Sequence, residues 1–573
     1  MEIHFLGGAT TVTGSRFLVT TSRASVMVDC GMFQGSPNES IRNRIPLGVD
    51  VRTLDAIVLT HAHLDHCGLL PVAVREGYRG PIHATKGTIE LARLVLLDSG
   101  RLHEEFAKRE ARWERRHPER AAEEDRQKSA DYEAAIDLAA ATDLATATDL
   151  ATATDTAEEA AQDLEAGRPP MPGELVPTTM ERVPDDVGEH VPTTIEPAGA
   201  PPPPDPEAAL RAQPPELLID LDAPLYTEDD AGAVLPLFKP VDYDAEIEVA
   251  PGIHATFLDA GHILGSALIR LRVQETDDGD ERYVVFSGDL GRPGTPIIRD
   301  PTVLVYADYV VVESTYGGRE HEPQDEAIRV LAETIRLVAE SDGVLLVPSF
   351  AIGRTQEIVW ELDRLIARGE IPLLPLYLDS PMASKASDVY RHHPEYYDAE
   401  TRQLLQTEGS PLDYPSQTLT NSIHQSQAIE RAPRPYMIVA SNGMLTGGRV
   451  VGHLRNLIDD PGATLLFVGY QGEGTLGAHL QAGAKTVKLD GVVRQVRCNV
   501  RSISGFSAHA DEPELLAWLS NFAAGKSRGE RGYPRRVFLV HGDPDAQMAL
   551  EPKVRALGFE THVPKWHEKV TLD

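Results

Sequence analysis

A short cluster of histidine and aspartate residues limits the fold of this chain more than any other feature. Residues 61–66 read His-Ala-His-Leu-Asp-His, so four side chains that can bind a metal lie within six positions. An apolar run, residues 56–59, precedes them and is typical of a buried strand. The cluster therefore lies where a strand ends and a loop begins, which is the usual place for chemistry on an α/β scaffold.

The spacing inside the cluster indicates two neighbouring metal sites. Neutral imidazole and carboxylate are the ligands that zinc-type ions prefer. Because one residue separates His61 from His63, an extended backbone would direct both imidazoles to the same side. A turn after Leu64 would then direct Asp65 and His66 to a second point. The alternative interpretation, four solvated polar residues in a turn, fits such a density of histidines poorly.

Length and composition indicate a soluble protein of several domains. The chain has 573 residues, which suggests two or three domains, and 42% of them are hydrophobic. No run of 18 apolar residues predicts a membrane span, and the first residues lack the pattern of a secretory signal. Three scattered cysteines exclude a disulfide framework, so we expect a cytoplasmic location.

The strongly acidic net charge of −34 argues against a nucleic-acid partner until its distribution is considered. Residues 121–248 contain 31 of the 88 acidic residues but only 6 of the 54 basic ones. The rest of the chain is therefore only mildly acidic, which leaves room for a local basic groove.

Residues 105–222 differ from the sequence around them. They contain a hexad repeat at 143 and 149, sequence rich in proline, glutamate and threonine, and a run of four prolines. Such composition buries little apolar surface, and we expect a largely disordered insertion with helical ends. Outside it, short strands dominate the first 60 residues, and strands alternate with helices after about residue 309, which predicts a parallel-sheet α/β domain.

Five further polar residues repeat one pattern, in which an apolar strand is followed by histidine, aspartate or glutamate and then a small residue. Each of them alone is a weak signal. Strands that end at one edge of a sheet would bring them together at one site. The five residues are His262, Asp289, Glu313, His509 and His541.

Together these motifs resemble those of the β-CASP nucleases, a family of the metallo-β-lactamase superfamily that includes ribonuclease J. Further likeness lies in residues 29–35, 60–68, 378–382 and 441–448. The resemblance implies an α/β fold, a metallo-β-lactamase αββα sandwich with an inserted β-CASP α/β domain. The sandwich would comprise residues 1–316, including the insertion 105–222, and residues 495–573, and the β-CASP domain would comprise residues 317–494.

The same resemblance implies two Zn²⁺ ions, with Mn²⁺ as the alternative metal, bridged by Asp289. One ion would be held by His61, His63 and His262, and the other by Asp65, His66 and His541. Four residues would act in catalysis: Asp29, Asp65, Glu313 and His509. Among these, His509 is the candidate general acid, tuned by Glu313.

Contacts to substrate are expected from the inserted domain and from Ser507. Gly443 could let backbone N–H groups approach a phosphate, and Arg354 and Arg449 are candidate contacts to the RNA backbone. For each arginine, an ordinary surface role is at least as good an interpretation.

The function implied is hydrolysis of phosphodiester bonds in single-stranded RNA. By resemblance, His541 favours RNA over DNA. The alternatives are a DNA nuclease, a small-molecule hydrolase of the same superfamily and an RNA-binding scaffold without turnover. The chain ends soon after its final strand, which tilts the expectation from 5′-exonuclease towards endonuclease activity. The oligomeric state stays open between a monomer and a homodimer.

Overall fold

The computed structural model describes the chain except for residues 36, 166–219, 277–278, 411, 470, 473 and 490, and it describes only the backbone of residues 37–38 and 143–165. Residues 1–144 and 222–573 form one compact unit. All the strands that the structure describes and all the candidate site residues lie in that unit.

The strands that the structure describes form three large sheets and one hairpin. In chain order they are β1 Glu2–Gly7, β2 Arg16–Thr20, β3 Ser25–Val28, β4 Ala56–Val58, β5 Ile82–Thr85, β6 Phe238–Val241, β7 Glu246–Ala250, β8 Ile253–Asp259, β9 Ala267–Val273, β10 Arg282–Phe286, β11 Tyr309–Glu313, β12 Val344–Pro348, β13 Leu376–Asp379, β14 Gln417–Leu419, β15 Tyr436–Ala440, β16 Ala463–Phe467, β17 Thr486–Leu489, β18 Val492–Gln495, β19 Asn499–Ser502, β20 Arg536–Val540, β21 Thr561–His562 and β22 Glu568–Thr571.

Two seven-stranded sheets pack face to face. Their strand orders are β22-β1-β2-β3-β4-β5-β6 and β21-β20-β11-β10-β9-β8-β7. One apolar core fills the space between them, and it includes ring contacts between Phe5 and Phe538, with centroids 5.3 Å apart, and between Phe17 and Phe286, at 5.8 Å. Burying these aromatic side chains together with the aliphatic residues of the core stabilises the sandwich.

Helices cover the outer face of each sheet, which gives four layers. Leu91 and Leu96 of the helix Lys86–Glu114 belong to the core on the first sheet. Leu515 and Leu550, from the helices Glu512–Ala523 and Pro544–Ala556, pack on the second. This αββα arrangement confirms the predicted fold.

The third sheet is entirely parallel, in the order β14-β13-β15-β12-β16-β19, with apolar clusters on both faces. Alternating strands and helices build it, as the sequence predicts. β19 lies beyond the expected boundary at residue 494 and forms one edge of this sheet, because it pairs in parallel with β16. The sheet therefore takes in Asn499–Ser502 as well.

Helices connect and cover these sheets in the part of the chain that the structure describes. The helices are Pro37–Ser40, Leu64–Cys67, Leu70–Arg75, Lys86–Glu114, Pro118–Glu165, Glu228–Val234, Gln324–Glu340, Arg354–Ala367, Pro381–His392, Ala399–Thr407, Ile423–Ala428, Arg449–Leu457, Leu476–Gln481, Glu512–Ala523 and Pro544–Ala556. None of the helices that the structure describes is both long and apolar enough to cross a membrane.

The expected insertion, residues 105–222, begins within helical structure. The end of Lys86–Glu114 and the helix Pro118–Glu165 occupy its first part, with a buried Ala135 and Ala139 packing into the sandwich core. The prediction for residues 166–219 falls outside the described residues.

Candidate metal centre and active site

Several strand ends meet at one edge of the sandwich. In the second sheet, β10, β11 and β20 run parallel to one another, and β8 runs in the same direction because β9 pairs antiparallel with both β8 and β10. β4 delivers the His61–His66 segment from the first sheet. The residues that follow these strands therefore converge, as the repeated sequence pattern predicts.

The His61–His66 segment is fixed by backbone hydrogen bonds. After His61 and His63 the chain forms a single helical turn, Leu64–Cys67. The carbonyl oxygens of Asp65 and His66 accept from the N–H groups of Ser15 and Cys30, each at 2.8 Å. The turn supplies the change of direction that the sequence suggests between the first two histidines and the pair Asp65–His66.

Four side chains form the first group of potential ligands: His61, His63, His262 and Asp289. His63 Nδ1 lies 3.1 Å from His61 Nε2 and 3.3 Å from His262 Nε2. Asp289 Oδ2 lies 3.3 Å from His61 Nε2 and 3.4 Å from His262 Nε2. These atoms are close enough together to coordinate one ion.

The second group of potential ligands is Asp65, His66 and His541. His66 Nε2 lies 3.3 Å from His541 Nε2, which lies 3.6 Å from Asp65 Oδ2. Asp289 extends between the two groups, because its Oδ1 atom lies 3.0 Å from His66 Nε2 and 3.4 Å from His541 Nδ1. The structure thus brings all seven predicted ligands together.

The chemistry of these donors fits a metal. Asp289 is 2% exposed, and each of its two carboxylate oxygens lies 3.0–3.4 Å from two histidine ring nitrogens. Burial lowers the pKa of His61 to about 3 and that of His262 well below its usual 6.5. Both imidazoles are therefore neutral at pH 7, which is the form that coordinates a cation. A buried cluster of neutral imidazoles and carboxylates is satisfied by a bound cation.

Asp29 orients His66 through a hydrogen bond on the side of the ring that faces away from the centre. Its carboxylate accepts hydrogen bonds from the Thr60 N–H at 2.7 Å, from the Thr60 hydroxyl at 2.8 Å and from His66 Nδ1 at 2.7 Å. The other ring nitrogen of His66, Nε2, faces the centre and lies 3.0 Å from Asp289 Oδ1. Carboxylate partners of this kind fix the tautomer and orientation of a metal-binding histidine.

Glu313 and His509 form a pair beside the first group. Glu313 is fully buried and accepts a hydrogen bond from the Leu290 N–H at 2.6 Å. His509 Nδ1 lies 3.0 and 3.1 Å from its two carboxylate oxygens, and His509 Nε2 lies 3.9 Å from Asp289 Oδ2. Burial alone would lower the pKa of His509, but the charges of Glu313 and Asp289 outweigh it and raise that pKa to about 9. His509 thus keeps a proton that faces the centre.

The structure also shows residues around His509 that the sequence did not single out. His321 Nε2 donates to the His509 carbonyl at 3.1 Å, and the rings of Tyr316 and His321 meet edge to face at 4.2 Å. Both follow Glu313 closely in sequence, which was the only available signal. The hydroxyl of Ser507, a predicted substrate contact, accepts the His509 N–H at 3.3 Å.

The remaining predicted substrate contacts lie in the domain of the third sheet. Arg354 is buried and ion-paired with Glu357. Arg449 donates to Asp379 at 2.7 Å. Both guanidinium groups thus already have carboxylate partners within the protein. Gly443 is buried, with its carbonyl accepting from Gln471 at 3.1 Å. Contact of these residues with RNA stays a prediction.

A two-sheet sandwich with a histidine and aspartate centre at its edge defines the class of metallo-hydrolases with the metallo-β-lactamase fold. Three family models match the chain: the metallo-β-lactamase superfamily at residues 10–125, the β-CASP domain at 355–480, and the Zn-dependent metallo-hydrolase RNA specificity domain at 493–564. These matches span the sandwich, the domain of the third sheet and the return to the sandwich.

Whole-chain relatives agree with the family models. A ribonuclease of Thermus thermophilus is 29% identical over 572 residues, which cover all of both chains. The transcription termination factor FttA of Methanosarcina mazei is 28% identical over all of this chain and 72% of its own length, and that of Methanocaldococcus jannaschii is 26% identical over 98% and 70%. The chain belongs to the β-CASP nuclease family of the metallo-β-lactamase superfamily.

Proposed function

We propose that this protein is a zinc-dependent ribonuclease that hydrolyses phosphodiester bonds of single-stranded RNA in RNA processing or decay. The observation that carries the proposal is the buried centre of seven His and Asp ligands with the Glu313–His509 pair beside it. The match to an RNA specificity domain and the name of the Thermus thermophilus relative support RNA as the substrate.

Two Zn²⁺ ions are proposed, with Mn²⁺ as the alternative metal. His61, His63 and His262 would hold one, Asp65, His66 and His541 the other, and Asp289 would bridge them. When bound, two such ions activate water for attack and neutralise charge on the phosphate oxygens. Asp29 would keep His66 oriented through the hydrogen bond to its Nδ1 atom.

His509 is proposed as the general acid. Cleavage of a phosphodiester leaves an oxygen that needs a proton, and the His509 side chain holds one close to Asp289. Glu313 would keep this imidazole protonated and would orient its Nε2 atom towards the centre, because the Glu313 carboxylate accepts a hydrogen bond from His509 Nδ1. His321 and Ser507 would hold the two ends of the His509 peptide backbone.

The proposed domains follow the sheets. Residues 1–316 and the chain after the third sheet would form the catalytic sandwich, and the β-CASP domain between them would form one wall of an RNA cleft. We propose endonuclease cutting, with 5′-exonuclease cutting at the same site as the alternative mode, a cytoplasmic location and a monomer or homodimer. Transcription termination is a second candidate role, which the names of the FttA relatives support.

One gel experiment tests the proposed activity. The purified protein is given a single-stranded RNA and the same sequence as DNA, each with and without a chelator, and Asp289→Asn serves as the inactive control. Cutting of RNA alone, abolished by the chelator, is expected, and the product ladder separates internal from terminal cutting. Cutting of DNA alone, or of neither strand by protein that retains its metal, would contradict the proposal in favour of a DNA nuclease or a small-molecule hydrolase.

A further inference from the structure

Phe350 is an unusually exposed aromatic side chain. Of the 13 phenylalanines, 11 are at most 8% exposed, and the exceptions are Phe106 at 51% and Phe350 at 36%. Phe106 lies on the long helix Lys86–Glu114, with the Arg109 guanidinium 5.6 Å from its ring. Phe350 instead lies two residues after the end of the central strand β12, at the carboxyl edge of the third sheet. Ligands of parallel α/β sheets bind at that edge.

The loop that carries Phe350 is held in one conformation. The Phe350 carbonyl accepts hydrogen bonds from the Thr355 hydroxyl at 2.7 Å and from the Thr355 N–H at 3.3 Å. Gly443 packs against one side of the ring, because a Cβ atom there would lie 3.0 Å from Phe350 Cδ2 and Cε2. The ring is thus backed by main chain while part of its surface stays open to solvent.

The same loop packs against a residue next to the metal centre. A Cβ atom on Gly353 would lie 2.8 Å from Ile263, the neighbour of the ligand His262. Phe350 precedes Gly353 by three residues, so their Cα atoms are at most about 11 Å apart. The ring therefore lies within a few nucleotides of a phosphate that is bound at the centre.

The surrounding strand ends are polar. The hydroxyls of Ser380 and Ser441, which follow β13 and β15, lie 3.0 Å apart. These strands neighbour β12 in the sheet, in the order β13-β15-β12. An apolar ring with hydroxyl groups at neighbouring strand ends suits a ligand that has flat apolar faces and a polar backbone. Single-stranded RNA is such a ligand, because its unpaired bases stack on aromatic side chains.

We propose that Phe350 is a stacking platform for one base of the RNA, close to the scissile phosphate. This inference rests on the proposed ribonuclease function and adds a named contact to it. Stacking on one aromatic side chain contributes enough that its loss lowers affinity by about 5- to 150-fold. Because every base has a flat face, the contact would set the position of the strand without selecting a sequence.

The test combines substitutions at Phe350 with removal of single bases from the RNA. A short RNA with one cleavage site is made as a series in which each nucleotide near that site is abasic in turn. Wild-type protein, Phe350→Ala, Phe350→Trp and Phe350→Leu are compared by kcat/KM, with Phe106→Ala as the matched exposed-phenylalanine control. Metal content and thermal midpoint are measured for each variant.

Phe350→Ala is expected to lower kcat/KM about 5- to 150-fold, mainly through KM, with metal content unchanged. Phe350→Trp should retain activity, because its ring can still stack on a base. Phe350→Leu should be as impaired as Phe350→Ala. The control Phe106→Ala should have the activity of the wild type. Removing the base at one position should lower kcat/KM of the wild type by a similar factor. The same abasic RNA should not lower kcat/KM of Phe350→Ala any further.

Three results would overturn the inference without contradicting the proposed ribonuclease function. They are unchanged kcat/KM in Phe350→Ala, full activity in Phe350→Leu, or, at every abasic position, the same fold loss of kcat/KM in Phe350→Ala as in the wild type. Failure of the metal-loaded wild type to cut the intact RNA would overturn the proposed function, and this inference with it.

Discussion

His509 Nδ1 lies 3.0 and 3.1 Å from the two carboxylate oxygens of Glu313, which accept its hydrogen bond, although the two residues are 196 positions apart in the sequence. Glu313 ends β11, and His509 lies in the loop before the helix Glu512–Ala523. The pair therefore joins the sandwich to the segment that returns from the third sheet. Because Asp289 lies 3.9 Å from the other ring nitrogen of His509, this pair connects the buried acid to the metal centre.

Replacing His509 should separate proton donation from metal binding. His509→Ala is expected to lower kcat by about 10²- to 10⁴-fold, the usual contribution of general acid–base catalysis, while the metal content per chain stays at its wild-type value. Asp289→Asn should lose both activity and metal, because Asp289 contacts both groups of ligands. Activity assays together with elemental analysis of the two variants check this. Equal metal loss in both would contradict the assigned division of roles.

Asp29→Asn should act through His66. The asparagine side chain has one acceptor oxygen and no charge, so it could not accept hydrogen bonds from both Thr60 and His66 Nδ1 as the Asp29 carboxylate does. The His66 ring would then no longer be held in one tautomer. A drop of about 10- to 100-fold in metal affinity is expected, as for other carboxylate partners of metal-binding histidines. Titration with a competing chelator measures it. Unchanged affinity would show that Asp29 does not orient this ligand.

Gly31→Ala should disturb the centre through its backbone. A Cβ atom at residue 31 would lie 1.7 Å from the Asp65 carbonyl oxygen, so the turn that carries Asp65 and His66 would have to move. We expect a lower thermal midpoint and weaker metal binding. The matched control is Gly452→Ala, in the helix Arg449–Leu457, where nothing lies within 4 Å of the new methyl group. That change should stabilise the protein by about 0.4–1 kcal/mol. Calorimetry of both variants decides between these expectations.

Glu361 should make stability fall as pH rises. Its side chain is 1% exposed and lies in the helix Arg354–Ala367. Burial, with a smaller contribution from the charge of Glu357, raises the pKa of Glu361 from 4.5 to about 8. Between these two values the folded state holds a proton that the unfolded chain has lost, so raising the pH removes stability.

The measurement is the free energy of unfolding of wild type and Glu361→Gln at pH 5 and pH 8.5. The amide mimics the protonated acid, so the variant should lose less stability over this range, by an amount on the order of a few kcal/mol at most. Glu333→Gln, at a residue whose side chain is 41% exposed, is the control and should behave like wild type. Parallel pH profiles for wild type and Glu361→Gln would contradict the prediction.

The sequence by itself determined most of the secondary structure and the set of candidate metal ligands. Apolar runs such as residues 56–59 mark strands because a strand buried on both faces needs apolar side chains throughout. The cluster at residues 61–66 was identifiable because few other roles call for this density of metal-binding side chains, whereas His262, Asp289 and His541 joined it through the repeated strand-end pattern and the family resemblance. Local chemistry is enough for such predictions, since neighbours along the chain decide it.

Only the tertiary structure decided which residues share a surface. Arg449 looked available to a phosphate, but folding places Asp379, 70 positions earlier in the sequence, beside it. Long-range packing also sets three further features: β19 lies in the third sheet, His321 contacts the His509 backbone, and Phe350 lies partly in solvent beside Gly443. Such contacts depend on strand order and on how sheets and helices meet, and no short window of sequence contains that information.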